Sequence, residues 1–177
     1  VDVLSKGGMI VYPTETCYGL GVDATNQEAV DKLLKFKERP QGKAISVAVG
    51  DQDMAEEFVE INEDARNMYK NFLPGPVTVI SRIKNKEIHG NKIVEDLVSE
   101  KGTLGIRIPD YQFVIEIVKQ LGRPITATSA SVSSLPPPYS LEQWTKQTAV
   151  KSQELVDLYI DAGELPRRSP STVVDTT

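Results

Sequence analysis

Leu34-Lys-Phe-Lys-Glu-Arg-Pro-Gln-Gly-Lys-Ala-Ile-Ser46 carries the chain from the end of one helix to the start of one strand. Upstream, Thr25 stands three residues before Glu28 in a capping-box pattern, and Ala29, Val30, Leu33 and Leu34 share one helical face. Pro40 stops that helix and Gly42 permits a turn most residues would resist. Downstream, residues 44–49 alternate into a β-branched strand. The same stretch gathers Lys35, Lys37, Arg39 and Lys43 against one acid, Glu38. Basic heads on a turn suit a compact polyanion, a triphosphate above all. A solvated helix end, where lysines favour the macrodipole, explains the cluster without a ligand. Taken alone, the stretch favours that plainer explanation.

Working outward, Met9-Ile-Val-Tyr12 follows Gly7-Gly8 as a short buried strand and ends at Pro13. Asn62 caps a helix running to about Phe72, with Glu63 and Asp64 in its first turn. Leu73-Pro-Gly-Pro76 breaks it before a strand over residues 77–81. Residues 84–103 are charged and weakly patterned, which indicates a loop with a short helix. Gly105-Ile-Arg-Ile108 reads as a strand closed by Pro109. Phe113, Ile117, Val118 and Leu121 mark a helix stopped by Gly122, and residues 125–127 return as a strand. A Ser/Pro loop over 131–140 leads to a second capping box, Ser140 with Gln143, and a short helix around Trp144. Residues 155–160 and 172–174 close the series as strands. Strands alternating with helices of uneven length indicate an α/β (α+β) fold, a mixed sheet forming one domain over residues 1–177.

With 177 residues, 40% of them hydrophobic, the chain can bury one good core. A net charge of −5 argues against bulk binding to duplex nucleic acid or anionic membranes. One cysteine, Cys17, excludes an internal disulfide and a multi-cysteine zinc site, and it fits a reducing cytosol. Its expected role is that of a small buried side chain. One histidine, His89, in a polar stretch argues against a His-centred triad. No run approaches the ~18 apolar residues of a membrane span. The sequence opens on Val1 without an initiator methionine and ends on strand-like residues, so the native chain is expected to continue.

Several polar groups follow or end a strand: Thr14, Thr16, Arg107, Thr126, Thr128, Ser129, Ser131 and Asp161. Strand ends are where open sheets bind ligands. Hydroxyls both donate and accept, and arginine grips a carboxylate with two hydrogen bonds. Together they describe a site for a small ligand with a carboxylate and a polar side chain, beside a polyanion. Each hydroxyl singly is also explained by turn backbone.

The ordered blocks resemble a known family. Tyr12-Pro-Thr-Glu-Thr-Cys-Tyr-Gly-Leu-Gly21 is similar to the opening signature of the YrdC-like family, the threonylcarbamoyl-AMP synthases. Lys37-x-Arg39-Pro-x-x-Lys43-x-x-Ser46 resembles its basic motif. Phe72-Leu-Pro-Gly-Pro-Val-Thr78, Gly105-Ile-Arg-Ile-Pro-Asp110, Thr126-Ala-Thr-Ser-Ala130 and Pro170-Ser-Thr-Val-Val-Asp175 follow in the family's order. Six blocks across nearly the whole chain are far more specific than a lone glycine pattern.

The resemblance implies a twisted, mostly open sheet with flanking helices around a positively lined cavity. It implies a nucleotidyltransferase reaction in which L-threonine, bicarbonate and ATP, with Mg²⁺ on the phosphates and no organic cofactor, give threonylcarbamoyl-AMP and pyrophosphate. A separate transferase complex would pass the product to tRNA. By the same resemblance Thr16, Arg107, Ser129 and Asp161 hold threonine. Arg39, Lys43, Thr103, Ser131, Tyr139 and Ser171 fall on nucleotide contacts, and Lys37 with Arg39 and Lys43 makes the catalytic group. Two departures stand out: Ser131 replaces a common asparagine and Ala48 a frequent histidine. The competing expectations are a non-catalytic module that contacts tRNA or ribosomal RNA through the same basic cavity, and a homologue that kept the fold and lost turnover. Low aromatic content, 6%, counts against stacking-based RNA binding.

Overall fold

The structure, a computed structural model, describes residues 1–38, 43–84, 92–132 and 135–177. The chain folds as the expected α/β mixture, but its strands divide into two mixed sheets where the sequence suggested one. The first has the order β7-β2-β1-β8, built from β1 (Ile10–Pro13), β2 (Tyr18–Gly21), β7 (Thr128–Ser129) and β8 (Leu158–Tyr159). The second has the order β6-β3-β5-β4-β9, built from β3 (Val47–Ala48), β4 (Val77–Arg82), β5 (Thr103–Arg107), β6 (Ile125–Thr126) and β9 (Thr172–Asp175).

Tyr12 explains why the first hairpin carries two glycines. It pairs in register with Gly19, and a Cβ on Gly21 would fall 2.9 Å from its ring. Bare backbone on β2 therefore lets the ring lie flat across the hairpin. The Tyr12 hydroxyl then donates to the Thr126 carbonyl at 3.0 Å, tying the first sheet to the second. The chain itself crosses between sheets within residues 125–129, where β6 gives way to β7. Thr126 locks that corner: its hydroxyl donates to Leu20 O and accepts from Val22 N. Its role is therefore the backbone one, and it does not serve a ligand.

The helix α2 (Gln27–Lys37) buries Ala29, Val30, Leu33 and Phe36 as its spacing requires. Its cap is Asn26, whose side chain accepts from Ala29 N, and not Thr25. Thr25 is unavailable because its hydroxyl donates to Asp23 Oδ1 at 2.7 Å. The helix ends on Glu38 in the left-handed region, φ 47, which costs a non-glycine residue about 1–2 kcal/mol. Asn62 caps α4 (Glu63–Phe72) and Ser140 caps α6 (Leu141–Gln147), both as expected. In α5 (Gln112–Leu121) the buried face is Val114, Ile117, Val118 and Leu121, while Phe113 is 40% exposed and outside the core. Trp144 on α6 stacks on Phe36 of α2 at 6.4 Å, which fixes one helix against the other. The remaining helices are short: α1 (Asp2–Ser5), α3 (Gln52–Phe58), α7 (Val150–Gln153) and one 3-10 turn, Glu95–Leu97. No helix among the described residues is long and apolar enough to cross a membrane.

Candidate active site

A cavity of about 290 Å³ opens where the two sheets meet, at the low end of small-ligand sites, roughly 300–1,000 Å³. Ala48 and Arg107, paired in register on parallel strands β3 and β5, supply one wall. They stand at the C-terminal ends of those strands, the usual ligand position in such sheets. The loop after β1 supplies Thr14, Thr16 and Cys17, and the corner after β6 supplies Ala127, Thr128 and Ser129. Tyr139 and the connection from β8 to β9 complete it with Arg168, Pro170 and Ser171.

Arg107 is the polar centre. Its Nη2 donates to Glu15 Oε1 at 2.7 Å and to Thr16 Oγ1 at 3.1 Å. The same Glu15 oxygen accepts from Asp110 N at 3.2 Å, so the loop after β1 is clasped to the end of β5. Glu15 Oε2 and Arg107 Nε are buried with no hydrogen-bond partner among the described residues. The Thr14 and Thr16 hydroxyls lie 3.0 Å apart. Thr14 also shapes its own turn, accepting from Cys17 N and donating to Cys17 O. Cys17 is only partly buried and faces the cavity, not the core. Burial pushes its thiol up, against smaller opposing influences from Thr16 and Arg107.

Lys37 is 4% exposed and points beneath the hydroxyl-bearing corner. Its Nζ donates to Ser129 O at 2.8 Å and Ser131 O at 2.5 Å, so α2 pins the backbone that carries both serines. The two serine hydroxyls lie 2.9 Å apart, Ser129 lining the cavity and Ser131 buried behind it.

The cavity thus brings together Thr16, Arg107, Ser129, Tyr139 and Ser171. Lys37, Ser131, Thr103, Asp161 and Lys43 are not in its lining. Thr103 begins β5, at the far end of the strand from Arg107, and its hydroxyl is 2.6 Å from Ser99 Oγ. Asp161 accepts from Gly163 N at 2.8 Å and shapes the start of the β8–β9 connection. Lys43 is exposed beyond α2. Arg39 and His89 lie outside the described residues. Glu15, the partner of Arg107, and Arg168, in the cavity lining, join the residues expected from sequence. Glu15 sits between two buried threonines, where a lone acid needs a cation, and that cation, Arg107, is remote in sequence.

Among the described residues no group of three or more His, Cys, Asp or Glu could hold a metal, and no carboxylate lines the cavity. The donors present, hydroxyls and guanidiniums, fit a metal that arrives already chelated by phosphates and not one caged by the protein.

A model of the Sua5/YciO/YrdC family, described as telomere recombination, matches residues 2–177. A relative in Methanocaldococcus jannaschii, a putative threonylcarbamoyl-AMP synthase, is 32% identical over 169 residues, covering 96% of this chain and 74% of the relative. The threonylcarbamoyl-AMP synthase of Pyrococcus abyssi is 30% identical over 175 residues, 98% of this chain and 48% of that protein. P. abyssi Sua5 complexed with L-threonine superposes with a TM-score of 0.86 at 27% identity, covering 98% of this chain and 48% of that one. The chain therefore spans about half the length of the Pyrococcus protein.

Proposed function

The chain belongs to the Sua5/YciO/YrdC family, and on that footing we propose that it forms threonylcarbamoyl-AMP and pyrophosphate from L-threonine, bicarbonate and ATP. The observation that carries the reading is the Arg107–Thr16 pair at the cavity wall, a guanidinium and a hydroxyl 3.1 Å apart. A guanidinium suits the carboxylate of an amino acid, and a buried hydroxyl suits a polar side chain. Threonine carries both.

The reaction asks little of the protein covalently. The threonine amine adds to carbon dioxide or bicarbonate, losing water in the second case, and gives an N-carboxylate. An oxygen of that carboxylate attacks the α-phosphorus of ATP, and the bond to pyrophosphate breaks as the new P–O bond forms. No side-chain nucleophile takes part. The protein's tasks are to align the reactants and to offset charge as pyrophosphate leaves. We assign alignment of threonine to Arg107, Thr16 and Ser129, and charge compensation to Arg39 and Lys43, with Ser171 and Tyr139 beside the nucleotide. Lys37 acts through the corner it pins and is a positioning residue. Mg²⁺ would be held by the phosphates of ATP and would supply further charge neutralisation there.

The adenylate then passes to a separate transferase acting on tRNA, and a cytosolic setting follows from that task. A cavity of about 290 Å³ has the scale of a small-molecule site, which supports this reading over the RNA-binding alternative. The test is incubation with L-threonine, bicarbonate and ATP followed by mass spectrometry. Threonylcarbamoyl-AMP is the expected product, and ATP recovered intact would overturn the reading.

A further inference from the structure

Two cations and no carboxylate appear among the described residues that line the cavity. One, Arg107, is already compensated by Glu15 at 2.7 Å. The other, Arg168, forms no ion pair with any described residue. It lies on the connection from β8 to β9, a strap without regular structure that nonetheless is fixed at several points. Near its start, the Tyr18 hydroxyl accepts from Ala162 N and donates to Gly163 O, both at 2.9 Å. In the middle, Leu165 N donates to Tyr139 O at 2.7 Å. At its end the Ser171 hydroxyl meets Thr78 Oγ1 at 3.0 Å.

The backbone at Arg168 is itself held, because the Tyr139 hydroxyl donates to its carbonyl at 3.0 Å. The same tyrosine sorts the Arg167-Arg168 pair. The guanidinium of Arg167 sits over the Tyr139 ring, 5.8 Å from its centre, while Arg168 goes to the cavity. An isolated surface arginine does little. A cation at a concave, partly apolar wall acts on a focused field, and with no acid beside it no internal pair is broken when an anion arrives.

We propose that Arg168 grips the polyphosphate of the bound nucleotide at the strap, while the Glu15-compensated Arg107 takes the amino-acid carboxylate. The division of labour rests on the functional reading above. It follows from charge: a polyphosphate carries several negative charges and is drawn to the uncompensated guanidinium, whereas a single carboxylate is satisfied by a clamp of low net charge. Tyr139 is the positioning residue of this arrangement, through the bond to the Arg168 carbonyl.

Titration calorimetry on the full chain tests it, with ATP, inorganic pyrophosphate and L-threonine as separate probes. Arg168 is exposed, so R168A is expected to melt with the wild type. R168A should weaken ATP and pyrophosphate by about ten- to hundredfold, the effect of losing a charge-assisted contact. Threonine affinity should stay within about twofold, because the clamp of Arg107 with Glu15 and Thr16 makes no bond to Arg168. R168K should fall between, since an ammonium keeps the charge and loses the fork. Y139F should weaken ATP less than R168A does. Equal ATP affinity in wild type and R168A overturns the inference alone, as does a loss confined to threonine. A wild-type chain that binds neither ATP nor pyrophosphate overturns the underlying reading together with it.

Discussion

Glu15 and Arg107 form an ion pair at 2.7 Å between side chains only 7% and 11% exposed, at the wall of the cavity assigned to threonine. The guanidinium is therefore aimed by the protein's own contacts, and its charge is balanced by a protein carboxylate. Arg107 Nη2 is committed to Glu15 and Thr16, which leaves the buried, unpartnered Nε as a donor in reserve.

Breaking a buried pair from one side leaves the other charge uncompensated, a loss of about 3–5 kcal/mol. R107A should therefore destabilise the fold and abolish threonine binding. The double variant E15A/R107A should regain much of the stability and none of the binding. Thermal melts with threonine calorimetry separate the two effects. A double variant no more stable than R107A would show that the pair is not what holds the loop.

Lys37 decides between a direct and an indirect role. Its Nζ donates to the carbonyls of Ser129 and Ser131, so K37M should leave both without that donor, about 1–3 kcal/mol for each group left unpaired. Activity and melting temperature should fall together. If K37M kept its stability and lost only ATP affinity, the lysine would act directly, in the catalytic group with Arg39 and Lys43 that the sequence resemblance implies.

The helices were the legible part of this fold. Asn62 and Ser140 announced their helices because cap side chains act locally, within three residues. Thr25 misled for an equally local reason: Asp23, two positions back, engages its hydroxyl, and Asn26 one position on takes over the cap. The second strand, Tyr18–Gly21, was hidden by the glycines that Tyr12 requires opposite it. Of the four two-residue strands, β3, β6 and β8 fall inside longer strand-like runs and β7 follows β6 after a single residue, so the chain's crossing from one sheet to the other, set by long-range pairing, could not be read. In the site, Thr16 and Arg107 were legible from their places at strand ends. Glu15 and Arg168 were not, because each owes its meaning to a partner more than 25 positions away in sequence: Arg107 for the first, Tyr139 for the second.

Cys17 offers a pH-dependent probe of the cavity. Burial, the largest influence, raises its thiol above the ordinary value, so less thiolate is present at neutral pH than for a free cysteine. Alkylation by iodoacetamide should be slow at pH 7 and accelerate at higher pH than it does for glutathione. Because Cys17 lines the cavity, threonine with ATP should protect it. Fast alkylation at pH 7 that ligands do not alter would place the thiol outside the site.

Pyrophosphate release from ATP, followed with threonine and bicarbonate supplied together and each withheld in turn, bears on the whole proposal. The geometry at Arg107 and Thr16 predicts release only when both are present, with the N-carboxylate of threonine as the attacking group. Release that continues at the same rate without threonine would contradict it, since the cavity would then be serving a different acceptor.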